Sequence, residues 1–239
     1  MGRAFEFRKE RKMKRWGRMA RQFTVLGKQL TMASKQGGPD PETNSRLRVL
    51  IQNAKNAGML KDKVEAAIKR AHSKDEKDFE EVVYEGYGPH GIAILVECAT
   101  DNINRTVASV RSYFTRAGGT LGKTGSLDFI FERKSVFKIP AEGNNVEDLE
   151  LELIDFGAEE MFEDEGSIFI YTGFSDFGAM QKALEERNIE IQSAEVQRFP
   201  TNTTELTPDQ QKEIHTLLEK FEEDDDVQAV YHNMKEDEE

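Results

Sequence analysis

The sequence predicts an α+β protein of three domains, an N-terminal three-helix domain followed by two ferredoxin-like α/β domains, the third inserted into the second. Three observations predict this. Apolar residues recur at helical spacing up to residue 71. Residues 134–202 read in order as strand, helix, strand, strand, helix, strand, the split βαβ unit. With that unit lifted out, residues 79–133 and 203–239 supply the same order again. The expected domains are 1–78, then 79–133 with 203–239, and 134–202 inserted between them. A single mixed sheet across residues 79–239 is the alternative.

Between residues 8 and 33, Trp16, Met19, Ala20, Phe23, Leu26 and Leu30 fall three or four positions apart and share one helical face. The stretch QGGPDPETN breaks this helix. The period resumes over residues 43–56 with Leu47, Leu50, Ile51 and Ala54, and a third helix over residues 63–71 offers Val64, Ala67, Ile68 and Ala71. SKDEKD then reads as a charged linker. Beyond Phe79, GIAILVECA is an aliphatic run of strand length, and YEGYGPHG reads as a turn leading into it. DNINRTVASVRSYFTRAGG is a helix, with Asp101 or Asn102 placed to cap it and Gly118 and Gly119 to stop it. GSLDFIFERKSVFKI alternates as a strand. The remainder gives an acidic helix (NVEDLELELIDFG), a hairpin (AEEMFEDEGSIFIYT), a helix (DFGAMQKALEERN), a strand (IEIQSAEVQRF), a helix (TPDQQKEIHTLLEKFEE) and a last strand (DVQAVYHN).

The net charge of −12 averages two opposite regions. Residues 1–78 hold 20 Lys+Arg against 9 Asp+Glu, a balance of +11, and the rest holds 13 against 36, a balance of −23. Such asymmetry points to a nucleic-acid-binding segment at the N-terminal end, because the acidic remainder repels phosphates. Ten Lys+Arg against two Asp+Glu lie in residues 1–33. Like charges stacked at i, i+3 and i+4 cost a few tenths of a kcal/mol per pair, which an anionic partner would relieve. Arg8, Lys9, Arg11, Lys12, Lys14, Arg15, Arg18, Arg21 and Lys28 are the candidate phosphate contacts. A solvated face, or one neutralised by the acidic domains, is the plainer reading. Arg105 joins the candidates because it falls in the first turn of its helix, where backbone N–H groups and a guanidinium together suit a phosphate. The basic residues of the second and third helices include no Asn/Gln/Arg set suited to reading bases. Sequence-specific DNA binding is therefore not expected, and RNA is at least as good a partner.

Catalytic chemistry finds no constellation. His72, His90, His215 and His232 lie in different expected elements, and none stands at metal-ligand spacing from Cys or carboxylate. The single cysteine, Cys98, sits in the aliphatic strand, where a buried thiol is inert. No metal, no cofactor and no catalytic residue is expected. No run approaches the roughly 18 apolar residues of a membrane span, and MGRAFEFRKERKMKRW lacks an apolar signal core. A cytoplasmic protein with no membrane partner is the expectation.

Several segments resemble one family. GGPDPETNSRLRVLIQNAKNAGM, KDKVEAAIKRA, YEGYGPHGIAILVECATDNINRTVASVRSYFTRAGGTLGKTGSLDFIFERK and DDVQAVYHN are similar to the YebC-type proteins, across nearly the whole chain. Members of that family are described as probable transcriptional regulators, and mitochondrial relatives as translational activators of a cytochrome oxidase subunit. The resemblance implies a three-domain architecture and a non-catalytic regulator of gene expression that binds nucleic acid, ribosomal RNA or DNA, and acts as a ribosome-associated translation factor. A DNA-binding transcriptional regulator is the alternative, and a protein-interaction or small-molecule-sensing module is one from another class. The resemblance also makes YEGYGPHG the candidate contact loop: Tyr84 and Tyr87 as stacking groups, Gly86 and Gly88 for close backbone approach, Pro89 and Gly91 for the turn. The opening MGRAFEFRKERKMKRW departs from the family's usual Gly-His-Ser-Lys-Trp-like start, and Leu60 stands where a proline often begins the third helix.

Overall fold

The computed structural model describes residues 3–73 and 78–236, with side chains described from residue 17 onward except at residue 18. The chain divides into two compact units, Met1–Phe79 and Glu80–Glu239.

The first unit is α1 (Arg3–Gly37), α2 (Ser45–Asn56) and α3 (Lys61–Arg70). Helix α1 runs past both expected ends, continuing through Gly17 and Gly27, until Gly38 at φ 88° turns the chain away. One buried asparagine then links two helices. Asn44 accepts from the Leu47 amide at 3.0 Å, starting α2, and donates to the carbonyls of Ala33 at 2.8 Å and Gly38 at 2.9 Å, which closes α1. Leu60 precedes α3 without a side-chain cap, so this helix is held by burial of Val64 and Ala67. The core joins Leu26, Leu30 and Ala33 of α1 to Leu47, Ala54, Val64 and Ala67. The Thr31 hydroxyl donates to the Ala67 carbonyl at 3.2 Å, which ties α1 to α3. Of the expected apolar face of α1, Leu26 and Leu30 are buried, Phe23 is half-buried and Met19 and Ala20 are exposed, while the Trp16 side chain lies outside the described residues.

The second unit contains β1 (Glu80–Tyr87), β2 (Ala93–Thr100), α4 (Ile103–Arg116), β3 (Thr120–Leu121), β4 (Phe131–Pro140), α5 (Val146–Leu153), β5 (Ala158–Asp164), β6 (Ser167–Gly173), α6 (Phe177–Glu186), β7 (Ser193–Pro200), α7 (Pro208–Glu222) and β8 (Val227–His232). They form two four-stranded antiparallel sheets, in the orders β3-β1-β2-β8 and β5-β6-β4-β7. The α+β class is as expected, and the contiguous sheet β4–β7 has the expected strand, helix, strand, strand, helix, strand order.

The flanking sheet corrects the expected element order, for it runs strand, strand, helix, strand, helix, strand. EEVVYEGY is itself a strand, paired residue for residue with β2, where a turn was expected. The third strand is only Thr120 and Leu121, and the strand read in GSLDFIFERKSVFKI begins at Phe131 and belongs wholly to the other sheet. Gly86 misled because glycine usually marks a turn; here it allows a close approach. A Cβ on it would lie 2.5 Å from the Thr120 carbonyl oxygen.

Strand β2 is buried on both faces, which is why it reads as an unbroken aliphatic run. Ile94, Val96 and Cys98 pack with Val110 and Phe114 of α4 and Ile214, Leu217 and Phe221 of α7, with the Phe114 and Phe221 rings 4.9 Å apart. On the other side Ala93 and Leu95 meet Leu127, Ile130 and Phe131. In the contiguous sheet Phe137 lies 5.0 Å from Phe177 at the start of α6, and Arg187 binds Glu152 at 3.0 Å, which joins α6 to α5.

Candidate nucleic-acid interface

The side chains of Arg8, Lys9, Arg11, Lys12, Lys14, Arg15 and Arg18 lie outside the described residues, although their backbone is part of α1. Arg21 and Lys28 are half-buried, and the Lys28 ammonium stands 5.1 Å from the centre of the Phe79 ring. The structure adds cations of its own. Lys55 on α2 and Lys63, Lys69 and Arg70 on α3 are exposed, and among the described residues none of them has a carboxylate partner. Lys61 and Lys35 differ in holding Glu65 at 3.7 Å and Asp78 at 2.6 Å.

The YEGYGPHG segment does not present itself as one loop. Tyr84 is only 8% exposed and packs in the core, so its expected stacking role is corrected. Alternation along β1 turns it inward beside Val82. Burial raises the pKa of its hydroxyl, which has no hydrogen-bond partner among the described residues, and Cys98 and Asp226 add to the shift. Tyr87, three residues on, points the other way and is 41% exposed. Gly88 sits tightly over the core, since a Cβ there would come 2.9 Å from the Ile94 Cδ1 and the end of that side chain would have to shift. Pro89–Gly91 form one tight turn, closed by the Gly88 amide donating to the Ile92 carbonyl at 2.8 Å. Its central residue, His90, takes φ 61° and fastens the turn to α7 through Glu213 at 2.8 Å and Gln210 at 3.3 Å.

Between the two tyrosines stands a residue that the sequence did not single out. Glu85 is 2% exposed, and its carboxylate accepts from the amides of Gly125 at 2.7 Å and Leu127 at 2.6 Å. Its carbonyl accepts from the Gly122 amide at 2.7 Å. The glycine-rich run after α4 is therefore wrapped around an internal carboxylate. Amides that in a phosphate-binding loop would face a ligand are already used. What this loop offers outward is Lys123, exposed and without a carboxylate partner among the described residues. Tyr87 pairs with Thr120, and alternation along β1 puts its side chain with Glu85 on the sheet face away from α4, the face on which the Lys123 loop is held. Much of the unit's remaining basic charge is spent internally, as in Lys134–Glu159 at 2.8 Å, Arg198–Glu97 at 2.7 Å and Lys235–Glu205 at 2.6 Å.

Arg105 is also spent. Its guanidinium donates to Asp226 at 2.6 Å and Asp101 at 2.9 Å, and these bonds, that to Asp226 foremost, raise its pKa further. Buried Asp226 also accepts from Thr100 at 3.1 Å and Thr106 at 2.9 Å. Asn102 caps α4 by accepting from the Arg105 amide at 3.1 Å. The TDNINRT segment thus ties α4 to the turn before β8, and the expected phosphate contact gives way to this structural role. Asp226→Ala is expected to lower stability by about 1–3 kcal/mol, because it leaves the buried Thr100 hydroxyl without its acceptor, while half-exposed Arg105 keeps Asp101. The urea midpoint measures it, and Asp101→Ala should shift it less.

The structure brings His215 and His232 together where the sequence left them apart: each lies 3.4 Å from Glu236. Among the described residues no group of three or more His, Cys, Asp or Glu is placed to hold a metal ion. No described helix is long and apolar enough to cross a membrane.

Comparison with known proteins adds to this geometry. The profile of the TACO1/YebC protein N-terminal domain matches residues 3–74, and that of the TACO1/YebC second and third domain matches residues 79–234. A protein of Cytophaga hutchinsonii is 66% identical over 238 residues, covering 100% of both chains, and one of Parabacteroides distasonis is 60% identical over 99% of this chain and 98% of its own. A protein of Campylobacter concisus is 46% identical over 98% of this chain and 100% of its own. Each bears the name "Probable transcriptional regulatory protein". The crystal structure of a conserved hypothetical protein from Aquifex aeolicus, 37% identical, superposes with a TM-score of 0.78 over 92% of this chain and 91% of that one.

Proposed function

The chain belongs to the TACO1/YebC family, and from that membership we propose that it is a non-catalytic, nucleic-acid-binding regulator of gene expression, working in the cytoplasm as a ribosome-associated translation factor. The observation that carries this reading is the charge division. The helical unit keeps Lys55, Lys63, Lys69 and Arg70 exposed and unpaired among the described residues, beside an N-terminal helix rich in Lys and Arg. Such a surface binds a phosphate backbone, with affinity from charge and little selectivity from base contacts. Residues Arg8 to Arg18 of the candidate set, with Arg21 and Lys28, supply the first contacts. Exposed Tyr87, with Lys123 of the neighbouring loop, supplies a smaller one, where Tyr87 stacks on an unpaired base. The absence of a base-reading set on α2 and α3 favours structured RNA over a DNA operator. The relatives' shared name favours a second reading, transcriptional regulation through DNA.

Sedimentation of cell lysate on a gradient, at low and high salt, with crosslinking at Lys9, Lys12 and Lys14, separates the readings. Co-migration with ribosomes at low salt, release at high salt and crosslinks to ribosomal RNA are the expected result. Promoter-enriched DNA in the crosslinks supports the second reading. Crosslinks to no nucleic acid contradict both and leave a protein-interaction or small-molecule-sensing module.

A further inference from the structure

Among the described residues of its own unit, the contiguous sheet has helices on one face only. Phe137, whose ring meets Phe177 of α6, marks the covered side, and the residues that alternate with it mark the other. That open face brings together aromatic rings from three strands. Phe162 of β5 stacks on Phe169 at 5.5 Å and Tyr171 at 5.7 Å of β6, and Tyr171 meets the edge of Phe199 of β7 at 5.5 Å. Phe162 is 39% exposed although it sits on an edge strand, where water would favour a polar residue. A cation already uses this surface: the Lys138 ammonium stands 5.2 Å from the centre of the Phe169 ring.

Aromatic rings on an open sheet suit either unpaired bases or cationic side chains, and the rim decides between them. Register places Glu160 opposite Tyr171, Asp164 opposite Ser167, Glu195 opposite Val136 and Glu132 opposite Phe199, all on this face. Against them stand Lys138 and Lys134, and Lys134 is held by Glu159 at 2.8 Å. A phosphate backbone laid across the rings would meet a surplus of carboxylates. Guanidinium and ammonium groups would meet ring faces in the middle and carboxylates at the edge.

We infer that this face docks an arginine- and lysine-rich segment of a protein partner, its cations over the Phe162, Phe169 and Tyr171 rings and paired with Glu160 and Glu195. The face belongs to the second unit and the basic helices to the first, so on the proposed function one chain carries a surface for each kind of partner.

The test titrates the full chain, at physiological salt, against a fluorescein-labelled nona-arginine peptide, followed by anisotropy. Glu160→Lys with Glu195→Lys is expected to weaken binding about tenfold or more, as reversal of charges at a docking surface does. Phe162→Ala, at an edge position that tolerates truncation, is expected to weaken it about threefold or more. Glu147→Lys with Glu150→Lys on α5 makes the same change in net charge on the covered side, and should alter binding less than about twofold. Equal weakening by the two double variants would reduce the effect to diffuse charge and overturn the inference, as would no weakening by the sheet-face variants. A labelled decauridine whose binding falls on Phe162→Ala would make the face a nucleic-acid platform instead. Far-UV circular dichroism checks folding, and the charge reversals test the inference even where Phe162→Ala disturbs the edge.

Discussion

Replacing Glu85 by alanine is expected to lower the unfolding free energy by about 3–5 kcal/mol and to free the loop after α4. The carboxylate is buried and accepts from two amides, at 2.7 Å from Gly125 and 2.6 Å from Leu127. Hydrogen bonds to a charged group contribute about 1.5–3 kcal/mol each, and amides left unpaired in a closed site add their own cost. Leu127 is completely buried and packs with Ile130, Phe131 and Leu95, so loss of its anchor loosens the apolar contact that joins the turn to β2. Urea unfolding measures the loss, and amide exchange at Gly125 and Leu127 locates it. Glu85→Gln, which keeps one acceptor oxygen, should fall between alanine and the parent. A loss below about 1 kcal/mol would mean that the loop holds its shape without the carboxylate.

Converting Lys9, Lys12, Lys14 and Arg15 together to glutamine is expected to weaken RNA binding by about 10²–10³-fold at physiological salt if all four meet phosphates. Each contact releases counterions and contributes roughly 0.7–0.9 to the dependence of log K on log salt. The fold should survive, because among the described residues the core of the helical unit takes from α1 Leu26, Leu30 and Ala33, well beyond the changed positions. Unchanged unfolding with collapsed affinity is the combination to look for, by filter binding and urea melts of the same preparations.

Both predictions rest on residues of different legibility. The basic N-terminus was visible as composition, and the helices as apolar period. The order of the contiguous sheet was visible too, since its strands alternate and its helices do not. Strand β1 was hidden because Gly86 and Gly88 read as turn residues, whereas the chain uses them where backbone or side chains press close. Period two across EEVVYEGY could have placed Tyr84 inward and Tyr87 outward. Glu85 gave no sign, for nothing local tells a carboxylate anchored by distant amides from one in water. Arg105 was misread for a similar reason: its main partner, Asp226, lies 121 residues away along the chain. The aromatic face of the contiguous sheet becomes legible only when register aligns Phe162 with Phe169 and Glu132 with Phe199.

The central claim is that basic helices hold nucleic acid through its phosphate backbone, and the salt dependence of RNA affinity tests it most directly. A plot of log K against log salt for the parent chain should be linear, falling with a slope of roughly −0.7 to −0.9 for each phosphate contact, and the fourfold glutamine variant should flatten it by about three units. A salt-independent affinity, or a slope unchanged by the four substitutions, would contradict the account.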